Sequence, residues 1–261
     1  MRYKVFGNRN HPMLMLIHGY GVSWKMWRPH IALLQEKYHI VTPLLPGHDE
    51  DSSSDFQSVE AVAEEIIKFV EDNFEGKLFA ICGASLGGTI TAHILSENRL
   101  KVAKAIIDAG PVVDFGVFFV NFAVYTRRFQ NWLLRKGNKT LMNALRNSFF
   151  PKEAAEDAIK IASRMSVETC KNVQHSAFRY TLPQSIQETT TEIAYWYGSK
   201  EGFLMQKSAD RFRQLLPSVQ VQVFQNYEHG ELCIGNPDIF VSNALAFFEG
   251  LSDTELLPGK Y

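Results

Sequence analysis

The sequence of 261 residues predicts an α/β fold, in which a mostly parallel central sheet is flanked by helices. Short apolar runs alternate with helical patterns at the length of βαβ units over residues 1–111, and the alternation returns after residue 188. Turns that contain glycine or proline follow several of the apolar runs. Between these two parts we find no convincing strand, which predicts a helical insertion.

The strands before the insertion are predicted from continuous apolar runs, which are typical of strands covered on both faces of a sheet. These strands are residues 2–6, 13–17, 39–42, the run that begins at Lys77, and 102–108. Apolar residues at spacings of three and four predict the helices between them. These helices are residues 24–38, the segment from Val59 to Phe74, and 86–97. Ser58 suits the N-cap of the second helix, because its hydroxyl can accept a hydrogen bond from a free backbone N–H.

The insertion is predicted to be helical because its aromatic residues recur at helical spacing from Phe115 to Phe129. Two further helices of the insertion are predicted at 140–149 and 151–166. After it, strands are predicted at 192–197 and 219–224, and helices at 209–216 and 237–249. We therefore predict a core formed by residues 1–111 and 188–261, with a helical cap at 112–187.

Composition limits the classes of function. The net charge of -1 gives no reason to expect a nucleic-acid partner. No apolar run approaches the ~18–20 residues that a membrane span requires, and the three cysteines are scattered without the spacing of a metal site. We expect a cytoplasmic protein, monomeric or homodimeric, that acts on a small molecule and has no membrane partner.

A serine flanked by glycines lies between a predicted strand and a predicted helix. Residues 83–87, Gly-Ala-Ser-Leu-Gly, fit the pattern Gly-x-Ser-x-Gly in the strand–turn–helix context of a nucleophile elbow. Such a turn strains the serine backbone and crowds its neighbours, and residues without a Cβ atom relieve the crowding. From these five residues alone, a glycine-rich turn with an incidental serine remains the alternative.

A serine hydroxyl becomes a good nucleophile when a base takes its proton and a third group orients that base. His229 lies in a loop between the last predicted strand and the last predicted helix, where such a base is expected. Glu228 adjoins His229 in sequence and is badly placed to reach its ring.

These features resemble the α/β-hydrolase superfamily over nearly the whole chain. His18-Gly19-Tyr20-Gly21 resembles the oxyanion loop of the family, and Pro46-Gly47-His48 resembles its Pro-Gly-His/Phe-Gly loop, with Asp49 in place of the usual second glycine. Residues 198–201, Gly-Ser-Lys-Glu, resemble its Gly-x-x-Asp acid loop, with glutamate in place of aspartate. The order serine, acid, histidine is that of the family. The resemblance specifies a fold more closely than a substrate.

The resemblance implies a role for each matched residue. Ser85 is expected to be the nucleophile, His229 the general base and then acid, and Glu201 the carboxylate that orients the imidazole. Asp108 is the alternative acid, because some members of the family place the acid one strand earlier. The oxyanion hole is expected to be formed by the backbone N–H groups of Tyr20 and Leu86. His18 and His48 are expected to brace loops rather than to react.

The insertion lies where the family carries a cap over the active site. Some of its aromatic residues are therefore expected to line an apolar pocket that suits a small hydrophobic acyl or alkyl group. The candidates are Phe115, Phe118, Phe119, Phe122, Trp132, Phe149 and Phe150. One or two arginines of the insertion, if they face inward, could bind a substrate carboxylate. The candidates are Arg127, Arg128, Arg135, Arg146, Arg164 and Arg179.

The sequence is interpreted first as a carboxylesterase-like serine hydrolase that cleaves a small hydrophobic ester through an acyl-enzyme on Ser85 and requires no metal or organic cofactor. One alternative is a carbon–carbon bond hydrolase, or a lyase like that of the menaquinone pathway, with the same three residues. An alternative of another class is a small-molecule sensor with vestigial hydrolysis. Epoxide hydrolase and haloalkane dehalogenase chemistry is disfavoured, because those relatives place an aspartate where Ser85 stands.

Overall fold

In the computed structural model, which describes residues 1–49 and 54–250, seven strands of the described chain form one sheet. The strands are β1 Arg2–Phe6, β2 Met13–Ile17, β3 His39–Leu44, β4 Lys77–Ala84, β5 Lys101–Asp108, β6 Glu192–Gly198 and β7 Gln220–Phe224. Their order is β1-β3-β2-β4-β5-β6-β7, and only β1 is antiparallel to its neighbour among these strands. The prediction of a mostly parallel central sheet is confirmed.

The strand order places a switch point at the centre of the sheet. From β2 the chain crosses to β3 on one side, and it later returns to β4 on the other side of β2. In open α/β sheets the crevice that receives ligands lies outside the carboxyl ends of the strands at such a point. The carboxyl end of β4 leads directly into Ser85, so the topology puts this serine at the crevice.

The described α-helices are α1 Arg28–Leu34, α2 Val59–Phe74, α3 Leu86–Ser96, α4 Val117–Arg135, α5 Lys139–Arg146, α6 Lys152–Arg164, α7 Val167–Phe178, α8 Gly202–Leu215 and α9 Pro237–Glu249. The Ser58 hydroxyl accepts the Ala61 N–H at 3.1 Å, which confirms the predicted N-cap. The predicted helix at 24–38 is shorter in the structure, because residues 24–27 form a 3-10 turn before α1 and α1 ends at Leu34. Among residues 1–49 and 54–250, no helix combines the length and hydropathy that crossing a bilayer requires.

The sheet is buried on both faces, so the core has two parts. Along β2, Met13, Met15 and Ile17 point to the face covered by α2, α3 and α8, and Leu14 and Leu16 point to the face covered by α1 and α9. This alternation follows from the two-residue period of a strand. It also explains why β2 is apolar throughout. The three cysteines are buried and form no disulfide.

Helices α4 to α7 lie between β5 and β6, and no strand interrupts them in the described structure. The prediction of a purely helical segment here is confirmed, although α7 was not recognised as a separate helix. Helix α6 is bound to the core through Asp157, whose carboxylate accepts the Ser23 hydroxyl at 2.6 Å and the Lys25 ammonium at 3.1 Å. Helix α7 is bound through Ser176, which accepts the backbone N–H of Val59 at 2.7 Å.

Candidate active site

Ser85 stands at the tight turn between β4 and α3. Its φ and ψ of 53° and -115° are a strained combination for a residue with a side chain. The turn is close enough that a Cβ atom on Gly83 would overlap the carbonyl oxygen of Gly87, and one on Gly87 would overlap the carbonyl oxygen of Ile17. The two glycines therefore permit the turn because they lack side chains. The strained serine at a strand–helix turn has the geometry of a nucleophile elbow.

The structure brings together Ser85, His229 and Glu201, which come from three loops far apart in the sequence. The Ser85 hydroxyl lies 2.8 Å from Nε2 of His229, and Nδ1 of His229 lies 2.5 Å from Oε2 of Glu201. The other carboxylate oxygen of Glu201 accepts the N–H of Gly198 at 2.7 Å. A serine, a base and an orienting carboxylate are thus connected in the order that nucleophilic catalysis requires.

The loops that carry the acid and the base are bound to each other. Glu201 ends a 3-10 turn directly after β6, and His229 lies in the loop after the adjacent strand β7. The backbone N–H of Lys200 donates to the carbonyl of Tyr227 at 3.1 Å. The neighbouring parallel strands therefore hold the imidazole within reach of the carboxylate.

The electrostatic environment of His229 suits a general base. Desolvation lowers the pKa of His229, but the hydrogen bond and negative charge of Glu201 outweigh it, so the pKa lies above its ordinary value. The exposed part of the imidazole, 49% of the side chain, lines the cavity above Ser85, whereas the Glu201 side chain is only 5% exposed. The carboxylate thus stabilises the imidazolium that forms when His229 takes a proton.

Asp108, the alternative acid, lies in the same site without binding the imidazole. Its side chain is buried at the end of β5 and contributes to the cavity wall, but the hydrogen bond to Nδ1 of His229 comes from Glu201. Burial, and then the charge of Glu201, raises the pKa of Asp108 to about 8. The geometry therefore favours Glu201 as the orienting group and gives Asp108 a protonated state at neutral pH.

Two backbone N–H groups predicted to form an oxyanion hole are available beside Ser85. Leu86 is the first residue of α3, so its N–H has no partner within the helix. Gly19, which precedes Tyr20, approaches so closely that a Cβ atom there would lie 3.3 Å from Cβ of Ser85. In the described structure neither the Tyr20 nor the Leu86 N–H donates to a backbone carbonyl. Their use as an oxyanion hole remains a prediction.

His18 and His48 hold loops at the back of the site. Nδ1 of His18 donates to the carbonyl of Gly19 at 3.0 Å, and Nε2 accepts the N–H of Leu45 at 3.3 Å. Nδ1 of His48 lies 2.9 Å from the carbonyl of Pro46. Burial lowers the pKa of His18 to about 3 and that of His48 to about 4, so both rings are neutral. The contacts agree with the expected bracing role.

A cavity of about 330 Å³ opens above Ser85, between the sheet and the helical insertion. Its walls are mainly aliphatic. The apolar side chains that line it include Val22, Met26, Leu134, Leu141, Leu145, Phe150, Ala158, Ala162 and Ile234. Arg127, Gln130 and Asn131 add polar groups from α4. A second cavity, of about 540 Å³, lies on the outer side of α4 and does not include Ser85.

The sequence predicts that some of seven aromatic residues line this pocket, and of these seven only Phe150 contributes to the cavity wall. Phe118 and Phe122 point outward into solvent, and Trp132 borders the second cavity. The remaining three pack against other phenylalanines: Phe115 and Phe119 against Phe178, and Phe149 against Phe150. The aromatic repeat of α4 belongs to the outer side of the helix, and the aliphatic and polar side lines the cavity.

Sequence reasoning did not single out the cavity wall formed by α4. Arg127, Asn131 and Leu134 have the spacing of one helix face and line the cavity. Of the six arginines considered, Arg127 is the one that lines it; its guanidinium lies 5.9 Å from the centre of the Tyr20 ring and donates to Gln130. The spacings of four residues from Arg127 to Asn131 and of three residues from Asn131 to Leu134 could have identified this face from the sequence.

Comparison with known proteins agrees with this geometry. Residues 12–231 match the sequence profile of the family described as alpha/beta hydrolase fold. The chain belongs to the α/β-hydrolase family. The prediction of the fold is therefore confirmed.

Individual α/β-hydrolases that resemble the chain include two curated proteins. The chain is 31% identical to monoacylglycerol lipase abhd6-B of Xenopus laevis over 98 residues, which are 36% of this chain and 29% of that protein. It is 28% identical over 98 residues to a pimeloyl-[acyl-carrier protein] methyl ester esterase of Aromatoleum aromaticum, covering 38% and 37% of the two chains. These matches span only about a third of the curated relatives' lengths.

A solved structure shows the same fold over a greater length. A carboxylesterase of Nitrososphaera gargenis superposes with a TM-score of 0.76 and covers 95% of each chain at 19% sequence identity. The sheet and the helices that carry the candidate site are therefore those of the α/β-hydrolase fold.

Proposed function

We propose that this α/β-hydrolase is a serine hydrolase that cleaves a small, hydrophobic carboxylic ester through an acyl-enzyme on Ser85. The observation that carries the proposal is the connected series Ser85–His229–Glu201, which opens into a largely aliphatic cavity. Among relatives, a methyl ester esterase and a carboxylesterase support an ester as the bond that is cleaved. Helices α4 to α7 form the cap over the reaction.

In the first half of the reaction, Oγ of Ser85 attacks the ester carbonyl while Nε2 of His229 takes its proton. Glu201 stabilises the imidazolium through the 2.5 Å contact to Nδ1. The developing oxyanion is bound by the N–H groups of Tyr20 and Leu86, at the positive end of α3. The tetrahedral intermediate collapses when His229 returns the proton to the leaving alkoxide, which departs as an alcohol.

In the second half, water replaces the alcohol. His229 takes a proton from the water, and the resulting hydroxide attacks the acyl carbonyl of the Ser85 ester. Collapse of the second tetrahedral intermediate returns the proton to Oγ of Ser85 and releases the carboxylic acid. The steps need only one base that alternates between neutral and protonated forms, and the raised pKa of His229 suits this alternation.

A panel of p-nitrophenyl esters from acetate to octanoate tests the proposal, with Ser85→Ala as the matched control. We expect turnover by the wild-type protein and a loss of about 10³-fold or more in Ser85→Ala. Labelling with a fluorophosphonate, followed by peptide mass analysis, should add the probe to Ser85. Equal rates in the wild-type protein and Ser85→Ala would contradict the hydrolase and favour the sensor.

Arg127 favours a second candidate, the carbon–carbon bond hydrolase or lyase with the same three residues. This reaction class needs a cation that holds an acidic substrate, and Arg127 lines the cavity with Ser85. To test the role of the cation, turnover of a neutral butyrate ester and of an anionic hemisuccinate ester is compared in Arg127→Gln. Arg127→Lys, which keeps the positive charge, is the control. Fluorophosphonate labelling of Ser85 without turnover of any simple ester would favour this second candidate.

A further inference from the structure

Helix α4 carries an unusual row of exposed aromatic side chains, which we term the α4 ridge. Its members recur at alternating spacings of four and three residues, so they share one face of the helix. They are Phe118, 89% exposed, Phe122, 68%, Tyr125, 70%, Phe129, 50%, and Trp132, 49%. The row runs along nearly the full length of a helix of 19 residues, or about 28 Å at 1.5 Å per residue.

The ridge is concentrated rather than scattered. Ten large hydrophobic side chains of the described residues are exposed, and six of them, the ridge and Val117, lie on α4. Single exposed apolar residues are ordinary, but a contiguous apolar surface marks an interaction site. The opposite face of the same helix, with Arg127 and Asn131, lines the cavity above Ser85. Helix α4 thus lines the candidate active site with one face and carries the ridge on the opposite face.

The charged side chains of α4 and of the segment that follows it are all positive. Residues 117–150 contain six arginines and lysines and no aspartate or glutamate, although the whole chain has a net charge of -1. Arg146 pairs with Glu156 of α6. Four others, Arg128, Arg135, Lys136 and Lys139, lie near the ridge or at its C-terminal end, and none has a carboxylate partner among the described residues. Arg128 and Arg135 are also part of the wall of the second cavity.

The second cavity opens beside the ridge and, like the ridge, combines an apolar surface with positive charge. Tyr125, Phe129 and Trp132 of the ridge line its apolar side. The α6–α7 junction closes the other side with Met165 and Val167. An occupant with an acyl region and a nearby anionic group would match both the apolar and the cationic parts of this surface.

We propose that the α4 ridge docks on the surface of an anionic lipid bilayer. Aromatic side chains partition into the boundary between headgroups and acyl chains, and long cationic side chains reach the lipid phosphates from beside them. A helix with an aromatic face and a cationic border has the arrangement that this boundary requires. The second cavity receives a lipid headgroup between Arg128 and Arg135. This proposal departs from the expectation, drawn from composition, of no membrane partner.

Charge disfavours a second copy of the chain as the occupant. Arg128 is near the middle of α4, so a two-fold pairing of two ridges would bring the Arg128 side chains of both copies together without an intervening carboxylate. Like charges at an interface are unfavourable. A protein with an acidic rim would satisfy the charge but would need a groove shaped to the convex ridge, whereas a bilayer adapts to it.

Vesicle binding by the full-length protein tests the proposal. Co-sedimentation is measured with vesicles of phosphatidylcholine alone and of phosphatidylcholine with roughly one third phosphatidylglycerol. We expect binding to the anionic vesicles and a blue shift in the emission of Trp132, which is lost in Trp132→Phe. The triple variant Phe118→Ser, Phe122→Ser, Phe129→Ser should lower the partition coefficient by about tenfold or more. The variant Arg128→Gln, Lys136→Gln, Lys139→Gln should lower it by about fivefold per charge.

The matched control replaces exposed apolar residues outside the ridge. Val5 and Leu33 are 54% and 48% exposed, and Val5→Ser, Leu33→Ser should bind vesicles as the wild-type protein does. Circular dichroism verifies that each variant is folded. Absence of binding to anionic vesicles by the wild-type protein would overturn the proposal, as would unchanged binding by the ridge variant. Ridge-dependent self-association in sedimentation velocity without vesicle binding would assign the surface to a second copy instead.

Discussion

Glu201 binds His229 through one carboxylate oxygen, 2.5 Å from Nδ1, and binds the backbone N–H of Gly198 through the other, at 2.7 Å. The side chain is folded back over its own 3-10 turn, and this conformation takes up the methylene that distinguishes glutamate from aspartate. Both carboxylate oxygens of Glu201 are therefore engaged in hydrogen bonds, and only one of them binds the imidazole. Substitutions of the two carboxyl groups of the site, Glu201 and Asp108, should therefore have different effects.

Glu201→Gln should reduce kcat/KM for an ester substrate by about 10²–10⁴-fold, because the neutral amide cannot stabilise the imidazolium. Asp108→Asn should change it by less than about threefold at pH 7, because Asp108 is already protonated there and makes no hydrogen bond to the ring. Steady-state kinetics of the two isosteric variants measure the difference. The opposite ranking would move the orienting role to Asp108.

The pH dependence of kcat/KM should report the environment of His229. The base must be neutral to accept a proton, so activity rises with pH through the pKa of the imidazole. Glu201 raises that pKa, and the midpoint of the rise should therefore lie above about 6.5 in the wild-type protein. In Glu201→Gln the residual activity should rise at a lower pH. An unchanged midpoint in this variant would show that Glu201 does not set the pKa.

Asp108 should give the folding stability a measurable pH dependence. Its pKa is about 8 in the native protein and about 4 in an unfolded chain, so between these values only the native state holds the proton. The contribution of Asp108 to the free energy of unfolding therefore falls as pH rises, by about 1.4 kcal/mol per pH unit. Asp108→Asn should gain stability relative to the wild type between pH 5 and pH 8. Urea unfolding at several pH values measures this, and parallel curves would contradict it.

His30 should destabilise the protein in acid. Its ring is fully buried against Trp27 and Phe240, neither ring nitrogen has a hydrogen-bond partner among the described residues, and burial lowers its pKa to about 3. Below pH 6.5 the unfolded chain binds a proton that the native ring does not, so stability is lost as the pH falls.

His30→Leu removes this cost, and its stability relative to the wild type should be about 2 kcal/mol more favourable at pH 5 than at pH 7.5. Urea unfolding at these two pH values provides the measurement. The same difference at both values would show that His30 is not the group that titrates.

Much of the fold could be predicted from local patterns. The bounds of β2 and α9 agree with the structure because both are apolar segments bordered by proline or glycine signals. Helix α8 starts at Gly202, earlier than predicted, because its first residue is a glycine and its apolar residues 203–205 are consecutive rather than spaced at three and four residues. Patterns that depend on burial identify the covered part of a helix and miss the exposed part.

The candidate site, like the fold, could be predicted from the sequence only in part. Ser85 and His229 could be predicted because each lies in a distinctive turn after a strand. The choice between Glu201 and Asp108 could not be settled from sequence, since Asp108 ends β5 and Glu201 follows the adjacent parallel strand β6. Only the course of the 3-10 turn brings one carboxylate to the imidazole. For α4, the spacing predicted a helix with an apolar face, but spacing alone could not tell which face meets the cavity.

The attachment of α6 to the core couples two parts of the site. The carboxylate of Asp157 accepts hydrogen bonds from both the N–H and the hydroxyl of Ser23, three residues after Tyr20. A displacement of α6 that enlarged the cavity for a larger substrate would therefore also move the turn that carries the Tyr20 amide. We expect variants selected to admit larger substrates by loosening α6 to misalign that amide and with it the proposed oxyanion hole, so that a broader substrate range would come with slower turnover.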